Sequence, residues 1–314
     1  FFRPKPSAMK PFLQSIARTY LHHESDTLVD TCFVFPNRRS TVYFTDYMRA
    51  EAQKEGRRII LPETTTIVDF TESFSQSSMA ADRMEMVFIL FGVYRDVVGA
   101  GAGAEAASSI DFNRFIQWAD VLLNDFDDVD HALADPEKIF SNVERLKEIS
   151  SNYLTAEQIE VLGHYFDTTN LRADVERFWN HIGPHDSEGN HKASQGFLRI
   201  WQVLGEVYRN FIERLEQSGL HSPGMSVRRA VAAIKEMGAP DFRWRRYVFT
   251  GFDTITNAQL AIMKRMQTLR HPDGNPLADF YWDLSSPAFR GDHRSDGART
   301  VERYSKMLPS LYPC

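Results

Sequence analysis

Apolar positions follow two different spacings along the chain. Continuous runs of β-branched and aromatic residues, typical of strands that are buried on both faces, occur near its two ends, at 29–35, about 58–61, about 65–68, 246–252 and 278–283. Between about residues 80 and 238 the apolar residues recur at spacings of three and four, which predicts helices over 82–98, 111–124, 137–148, 155–165, 170–181, 194–218 and 224–237. The pattern therefore predicts an α/β fold in which a large all-helical insertion interrupts one sheet.

The predicted elements divide the chain into four parts. Three prolines make residues 1–11 an extended lead-in. Residues 12–79 together with 239–290 form the predicted α/β domain, and residues 80–238 form the helical insertion. The remainder, 291–314, is polar and has no closing element, so we expect it to begin a following region of a longer polypeptide.

Composition limits where a ligand site can lie. The chain has 36 Lys and Arg residues against 42 Asp and Glu residues, a formal charge of −6, so a general attraction to DNA or to an anionic membrane is not expected. A nucleic-acid site must be a local patch. The two cysteines, Cys32 and Cys314, are too far apart to indicate a disulfide framework or a metal site, and no apolar run is long enough to cross a bilayer. We expect a protein of the reducing cytoplasm without a membrane partner.

A polar turn follows the first predicted strand and is the strongest candidate site. Pro36 ends the strand because it lacks an N–H group, and Asn37, Arg38 and Arg39 follow it directly, ahead of a helical pattern from Ser40 onwards. Open α/β sheets bind their ligands at the carboxyl ends of their strands, which is where this turn belongs. Amide and guanidinium groups there suit the phosphate oxygens of a nucleic acid. Ordinary surface charge remains the alternative interpretation.

Several other motifs are better explained by structure than by chemistry. The alternating glycines of residues 99–104 follow a predicted helix and lack a Lys-Ser/Thr pair, which favours a flexible linker over a phosphate loop. Glycines and a proline surround a possible set of metal ligands, which favours a solvated loop: His185, Asp186, Glu188 and His191. The aromatic residues at helical spacing are predicted to be core residues: Phe112, Phe115, Trp118, Phe197, Trp201, Tyr208 and Phe211.

Two charged clusters remain. Residues 125–130 hold four aspartates, but their spacing does not fit an EF-hand, so we interpret them as a helix-terminating loop with Phe126 and Val129 in the core. Residues 243–246 (RWRR) combine arginines with Trp244, which suits base stacking or, alternatively, a solvated loop before a strand.

The order of several motifs resembles the N-terminal helicase-like region of AddB-like proteins of Bacteroidetes, members of the PD-(D/E)XK nuclease superfamily. The resemblance covers nearly the whole chain. It rests on the segments 34–39 (VFPNRR), 65–70 (TTIVDF), 118–130 (WADVLLNDFDDVD), 247–252 (YVFTGF) and 280–283 (FYWD).

The resemblance implies a fold and a set of partners. The fold would be a RecA-like parallel sheet, like domain 1A of superfamily 1 helicases, interrupted by an all-α insertion like domain 1B. Asn37, Arg38 and Arg39 would contact single-stranded DNA, with Thr65 and Thr66 near a second contact. The expected partners are a single- or double-stranded DNA end, an AddA-like helicase–nuclease subunit and the C-terminal nuclease region of the same chain. The function implied is a DNA-binding scaffold in double-strand-break repair and recombination.

The sequence departs from a working ATPase of this class in two places. Residues 3–11 (RPKPSAMKP) stand where a glycine-rich phosphate loop is needed, and Thr250 stands where an aspartate would hold Mg²⁺. We therefore expect no cofactor and no catalysis by this part of the chain, with nuclease chemistry in a region beyond it. Two alternatives stay open. One is an ATPase with an atypical site built from Lys10, Asp253 and Asp283; the other is a protein-interaction module without nucleic-acid binding.

Overall fold

A computed structural model describes residues 11–75, 77–103, 108, 110–139, 190–285 and 296–312; for residues 102, 114 and 190–203 it describes the backbone alone. The chain divides into two compact units. The first, here called the sheet unit, is drawn from residues 1–76 and 226–314, and the second, the helical unit, from residues 77–225. The predicted lead-in and the predicted helices within 140–189 lie outside the described residues.

Within the described residues, six strands and nine α-helices have both of their ends defined. The strands are β1 (Thr31–Phe35), β2 (Glu63–Thr66), β3 (Met79–Ala80), β4 (Leu220–His221), β5 (Arg246–Thr250) and β6 (Ala278–Tyr281). The helices are α1 (Phe12–His23), α2 (Arg38–Lys54), α3 (Ile67–Glu72), α4 (Arg83–Ala102), α5 (Phe112–His131), α6 (Asn190–Gln217), α7 (Pro223–Glu236), α8 (Asn257–Thr268) and α9 (Asp296–Met307).

One parallel four-stranded sheet, in the order β2-β1-β5-β6, organises the sheet unit. Phe33 of β1 lies opposite Thr64 of β2 on one side and Val248 of β5 on the other, so strands from the two ends of the sequence are neighbours at the centre. This confirms the predicted α/β class and the predicted shared sheet. The chain passes from β1 through α2 to β2 on one side, and from β5 through α8 to β6 on the other, which makes the β1/β5 boundary a topological switch point.

Helices cover both faces of this sheet, as the unbroken apolar runs predicted. Successive residues of a strand point to opposite faces. Phe33 and Phe35 pack with α1 and α2 on one face, in a cluster that includes Tyr20 and Phe44. Residues of alternate parity pack on the other face with α3, α7 and α8: Cys32, Val34, Tyr247, Phe249, Ala278 and Phe280.

The helical unit has its own apolar core between α4, α5 and the later part of α6. Its fully or nearly fully buried residues include Leu90, Ala119 and Val207. Of the aromatic residues predicted to be core, Phe115, Tyr208 and Phe211 are buried, and Phe112 and Trp118 are only partly buried; the side chains at 197 and 201 lie outside the described set. The unit also contains a two-stranded parallel pair, β3 with β4, which the helical pattern did not predict.

Several predicted boundaries differ from the structure. The apolar residues near 58–61 form no strand, and the predicted strand at 65–68 ends at Thr66, where α3 begins. Helix α4 continues through Ala102 into the predicted glycine linker and ends at Gly103, whose φ of 96° is the left-handed conformation that favours glycine. Helix α7, predicted as part of the insertion, packs Ala230 and Ile234 against the sheet.

The acidic cluster at 125–130 is not a terminating loop, because α5 continues through it to His131. Phe126 is buried as predicted, and Val129 is only partly buried. Asp130 is almost fully buried and accepts a hydrogen bond of 2.5 Å from the Tyr208 hydroxyl, so one acidic side chain of the cluster is a core residue. None of the described helices is long and apolar enough to span a membrane.

Candidate nucleic-acid interface

The polar turn after β1 is the capped start of α2. Asn37 is the N-cap residue, and its side-chain oxygen accepts hydrogen bonds from the Ser40 backbone N–H (3.0 Å) and the Ser40 hydroxyl (3.2 Å). Asn37 is exposed, but its amide oxygen is already in use. The position at the carboxyl end of a central strand is the predicted one, and the role of Asn37 there is to fix the direction of the helix.

The next strand of the sheet ends in the same way. Thr66 is the N-cap residue of α3, accepting from the Asp69 N–H (3.1 Å) and donating to Asp69 Oδ2 (2.8 Å). Thr66 is 6% exposed, which leaves little of it available to a ligand. Thr65 is partly buried, with its hydroxyl 3.4 Å from the Thr66 carbonyl oxygen. The two threonines therefore lie beside the predicted arginine turn, but Thr66 is a structural cap.

The arginines are the groups of this edge that face solvent. The Arg38 side chain is 86% exposed and forms a long ion pair of 3.7 Å with Asp69, which links the first turns of α2 and α3. Exposed ion pairs of this kind contribute at most about 1 kcal/mol. Arg39 is exposed and has no ion-pair or hydrogen-bond partner within the described part of the chain. Both guanidinium groups are thus accessible to an anion.

Exposed apolar side chains lie next to the arginines, and the sequence analysis missed them. Val42 is 60% exposed, Tyr43 is 53% exposed, and Val68 in the first turn of α3 is 57% exposed. Tyr43 follows Arg39 by four positions on α2, so the two are neighbours on the helix surface. That spacing was the available signal. An arginine next to an exposed aromatic ring is the combination that single-stranded nucleic acids bind, through phosphate and base respectively.

A cleft of about 640 Å³ opens at the switch point, and Tyr43 is one of its lining residues. We call this cavity the switch-point cleft. Its walls come from the starts of α1, α2 and α9 and from the turns after β5 and β6. The polar and aromatic groups of these walls are Phe12, Ser40, Tyr43, Tyr47, Phe252, Asp253, Thr254, Asp283 and Thr300. The structure therefore brings together two of the three residues of the atypical ATPase alternative; Lys10 lies outside the described residues.

The turn after β5 forms part of the cleft wall with its backbone at Gly251. Gly251 has a φ of 79°, which a residue with a side chain adopts at a cost, and an added Cβ would lie 3.9 Å from Leu13 Cδ2 and 4.0 Å from Pro36 Cδ. Thr250, where a nucleotide hydrolase would carry an aspartate, is fully buried. Its hydroxyl has no hydrogen-bond partner among the described atoms. It shares the α1/α2 face of the sheet with Val248 and Tyr281.

The basic run at 243–246 is not part of this interface. Arg245 pairs with Asp273 and Arg246 with Glu24, so both charges are compensated. Trp244 packs against the core of the sheet unit, with the Arg243 guanidinium 4.9 Å above its ring. These residues precede or begin β5, at the end of the sheet opposite the polar turn. The base-stacking interpretation of Trp244 is therefore not supported by its position.

Metal and thiol chemistry find no support in the described ranges. No group of three or more His, Cys, Asp or Glu side chains there is arranged to hold a metal ion. Cys32 is buried in β1, and burial, with a smaller effect of Glu63, raises the pKa of its thiol to about 12. The thiolate needed for nucleophilic or redox chemistry is therefore disfavoured.

No protein-family model and no curated protein sequence matches this chain.

Proposed function

We propose that this chain binds single-stranded DNA along the carboxyl edge of its parallel sheet, as the non-hydrolysing, helicase-like scaffold of an AddB-type helicase–nuclease subunit that acts in double-strand-break repair in the cytoplasm. In this proposal the sheet unit is a RecA-like domain and the helical unit, residues 77–225, is its 1B-like insertion. An AddA-like subunit would supply the motor, and a nuclease region of the same polypeptide would cut the DNA.

One observation carries the proposal: two accessible arginines share the first turns of α2 with an exposed tyrosine and an exposed valine. The arginines offer charge to phosphate oxygens without reading sequence. Tyr43 offers a ring face to a base, and Val42 and Val68 offer apolar contact. The net charge of −6 confines attraction for DNA to such a local patch, since the molecule as a whole repels a polyanion.

The test is the salt dependence of binding to a labelled thymidine oligonucleotide, measured by fluorescence anisotropy. Arg38→Ala and Arg39→Ala should each weaken binding, and each should reduce the slope of log affinity against log salt by about 0.7, the value for one phosphate contact on a single strand. Arg49→Ala is the matched control, because Arg49 is exposed on the same helix but pairs with Asp46.

Two outcomes would contradict the proposal. Equal losses in all three variants would mean that total charge, and not this edge, determines binding. An affinity that is absent, or that does not change with salt, would favour the protein-interaction module instead.

A further inference from the structure

An apolar groove of about 570 Å³ lies on the helical unit, at the start of α4. We call it the α4 groove. The residues that matter for its chemistry come from the first two turns of α4 and from β4: Asp82, Met84, Glu85, Phe88, Ile89 and Leu220. Met84 is 48% exposed and Phe88 is 57% exposed, so the groove is open to solvent.

The apolar side chains of the groove form one accessible surface. Met84 and Phe88 are four positions apart on α4 and are therefore neighbours on the helix surface. The Phe88 ring stacks on Phe112, with ring centroids 5.2 Å apart and planes 6° apart, and is still more than half exposed. Ile89 and Leu220 are partly buried against the core of the unit. Contiguous exposed apolar surface of this kind marks sites of protein–protein interaction.

The apolar surface continues over β3. Met79 is 74% exposed and lies opposite Leu220 in the parallel pair of β3 and β4. Methionine has three rotatable bonds and a polarizable sulfur, so two exposed methionines beside an aromatic ring suit partners of varied shape. β3 has only two residues, which is too short an edge to recruit a further strand. The groove, and not the strand edge, is the feature that can receive a partner.

Two carboxylates line the groove next to its apolar residues. Asp82 is exposed and Glu85 is partly buried. Both belong to the start of α4, where Asp82 Oδ1 accepts a hydrogen bond of 2.8 Å from the Glu85 N–H. Capping explains why acidic residues occupy these positions, and it leaves two negative charges at the groove wall.

The arginines closest in sequence do not neutralise these carboxylates. The parts of α4, α6 and β4 that surround the groove are described without a gap and contain two arginines. Arg83 pairs with Asp120 at 2.8 Å, and Arg214 pairs with Asp96 at 3.1 Å. The charges of both arginines are thus compensated by other carboxylates.

We infer that the α4 groove is the docking site for an amphipathic helix of a partner protein, with apolar side chains on one face and lysines or arginines beside them. Apolar anchors at helical spacing fill grooves of this kind, and the cations of such a helix complement Asp82 and Glu85. Nucleic acids and anionic lipids would bring phosphates to these carboxylates, and a second copy of the chain, docked symmetrically, would bring its own. The inference goes beyond the proposed DNA binding and does not depend on it.

The test measures the binding of designed helices to the protein by fluorescence anisotropy. The probe is a labelled peptide of about 14 residues, roughly four helical turns, with leucines on one face and lysines on the other. A second peptide keeps the leucines and replaces every lysine by glutamate. The lysine peptide should bind at least about tenfold more tightly than the glutamate peptide, and added salt should reduce this difference.

Substitutions locate the binding site. Phe88→Ala should weaken binding of the lysine peptide about tenfold or more, as for a central aromatic anchor, and Met84→Ala about three- to tenfold. Asp82→Asn keeps the helix cap but removes the charge, so it should weaken binding about two- to fivefold. The matched controls are Val121→Ala, which shortens a 43% exposed apolar side chain on α5, and Asp46→Asn in the sheet unit. Both controls should bind as the wild type does.

Met84→Ala keeps the test decisive if the loss of the stack between Phe88 and Phe112 unfolds the unit. No binding of the lysine peptide, equal binding of the glutamate peptide, or equal losses in the control variants would overturn the inference. Dimerisation of the protein that Met84→Ala abolishes would overturn it in favour of a second copy. Weaker binding of a thymidine oligonucleotide in Met84→Ala would overturn it in favour of a nucleic acid. Failure of the peptide test leaves the DNA-binding proposal standing, because Arg38 and Arg39 belong to the sheet unit.

Discussion

Of the three polar residues that follow β1, one caps a helix and two are exposed to solvent. Asn37 uses its side-chain oxygen to start α2, whereas Arg38 and Arg39 extend into solvent from the first turn that this cap establishes. The same division appears after β2, where Thr66 caps α3 and Val68 is exposed. Residue type was enough to predict that polar groups would gather here. It was not enough to separate caps from binding groups, because Asn and Thr are suited to both.

The ion pair between Arg38 and Asp69 predicts a substitution that strengthens DNA binding. Asp69 competes with any phosphate for the Arg38 guanidinium at 3.7 Å. Asp69→Asn keeps an oxygen for the Thr66 hydroxyl but removes the charge, so binding of a thymidine oligonucleotide should tighten about two- to fivefold, as expected for an exposed pair. Anisotropy at low salt measures the change.

Its control is Asp46→Asn, which removes one negative charge from an exposed ion pair elsewhere on α2. An increase of the same size in this variant would mean that the Asp69 effect reflects net charge. Unchanged binding in Asp69→Asn would show that Arg38 is not a phosphate contact.

At the scale of elements, capping chemistry explains where the strand prediction was inaccurate. Ile67 and Val68 are β-branched, which favours a strand, but they follow Thr66 and precede Asp69 in the spacing of a helix N-terminus. The hydrogen bonds of Thr66 with Asp69 stabilise the helix against that preference. Ile59 and Leu61 show a second reason why the strand prediction failed. They pack against the core without pairing with a strand of the sheet, and apolar character alone does not distinguish these two outcomes.

The junction between α5 and the start of α7 gives a second prediction, on stability. A Cβ at Gly224 would lie 2.5 Å from Asp130 Oδ2 and 2.7 Å from Asp130 Cβ, and the Gly224 N–H already donates to Asp127 Oδ1 at 3.0 Å. Because Asp130 is buried and bonded to Tyr208, it cannot move away freely. Gly224→Ala should therefore destabilise the protein by about 1–3 kcal/mol, the usual cost of overpacking.

Gly92→Ala is the matched control within the same unit. Gly92 lies inside α4 with open space around its Cα, so alanine should stabilise the helix by roughly 0.5–1 kcal/mol. Urea denaturation of both variants measures the two effects. A neutral Gly224→Ala would mean that the acidic end of α5 adapts at little cost.

At the scale of the whole molecule, the sequence was most informative about the centre of the sheet. β1 and β5 are buried on both faces and give unbroken apolar runs, so their pairing across more than two hundred intervening positions could be predicted. The cleft was predicted only in part. The atypical-ATPase alternative grouped Asp253 with Asp283, and both line the cleft, but the contributions of α1, α2 and α9 come from separate segments whose arrangement around the switch point the sequence pattern did not reveal.

Distant segments of the chain also meet at Glu24, which makes stability depend on pH in a predictable direction. Burial alone would raise the pKa of Glu24, but hydrogen bonds from Thr27, Tyr312 and Arg246 outweigh burial and lower it below its ordinary value of 4.5. The folded protein thus binds this proton less tightly than the unfolded chain, and the ionised group stabilises the fold above about pH 4.5. Glu24→Gln should cost roughly 1.5–3 kcal/mol at neutral pH, and the difference from the wild type should shrink as the pH falls below that value.

Asp279 should show the opposite dependence. Burial raises its pKa above the ordinary 3.8, although the Tyr20 hydroxyl and the Leu311 N–H both donate to it and act against the shift. The folded protein therefore binds this proton more tightly than the unfolded chain, and the wild type gains stability as the pH falls from neutral towards 3.8. Asp279→Asn has no proton to gain, so its difference from the wild type should grow over that range. Urea midpoints of both variants between pH 7 and about pH 3 test the pair, and differences that move in the same direction would show that one of the two carboxyl environments is assigned wrongly.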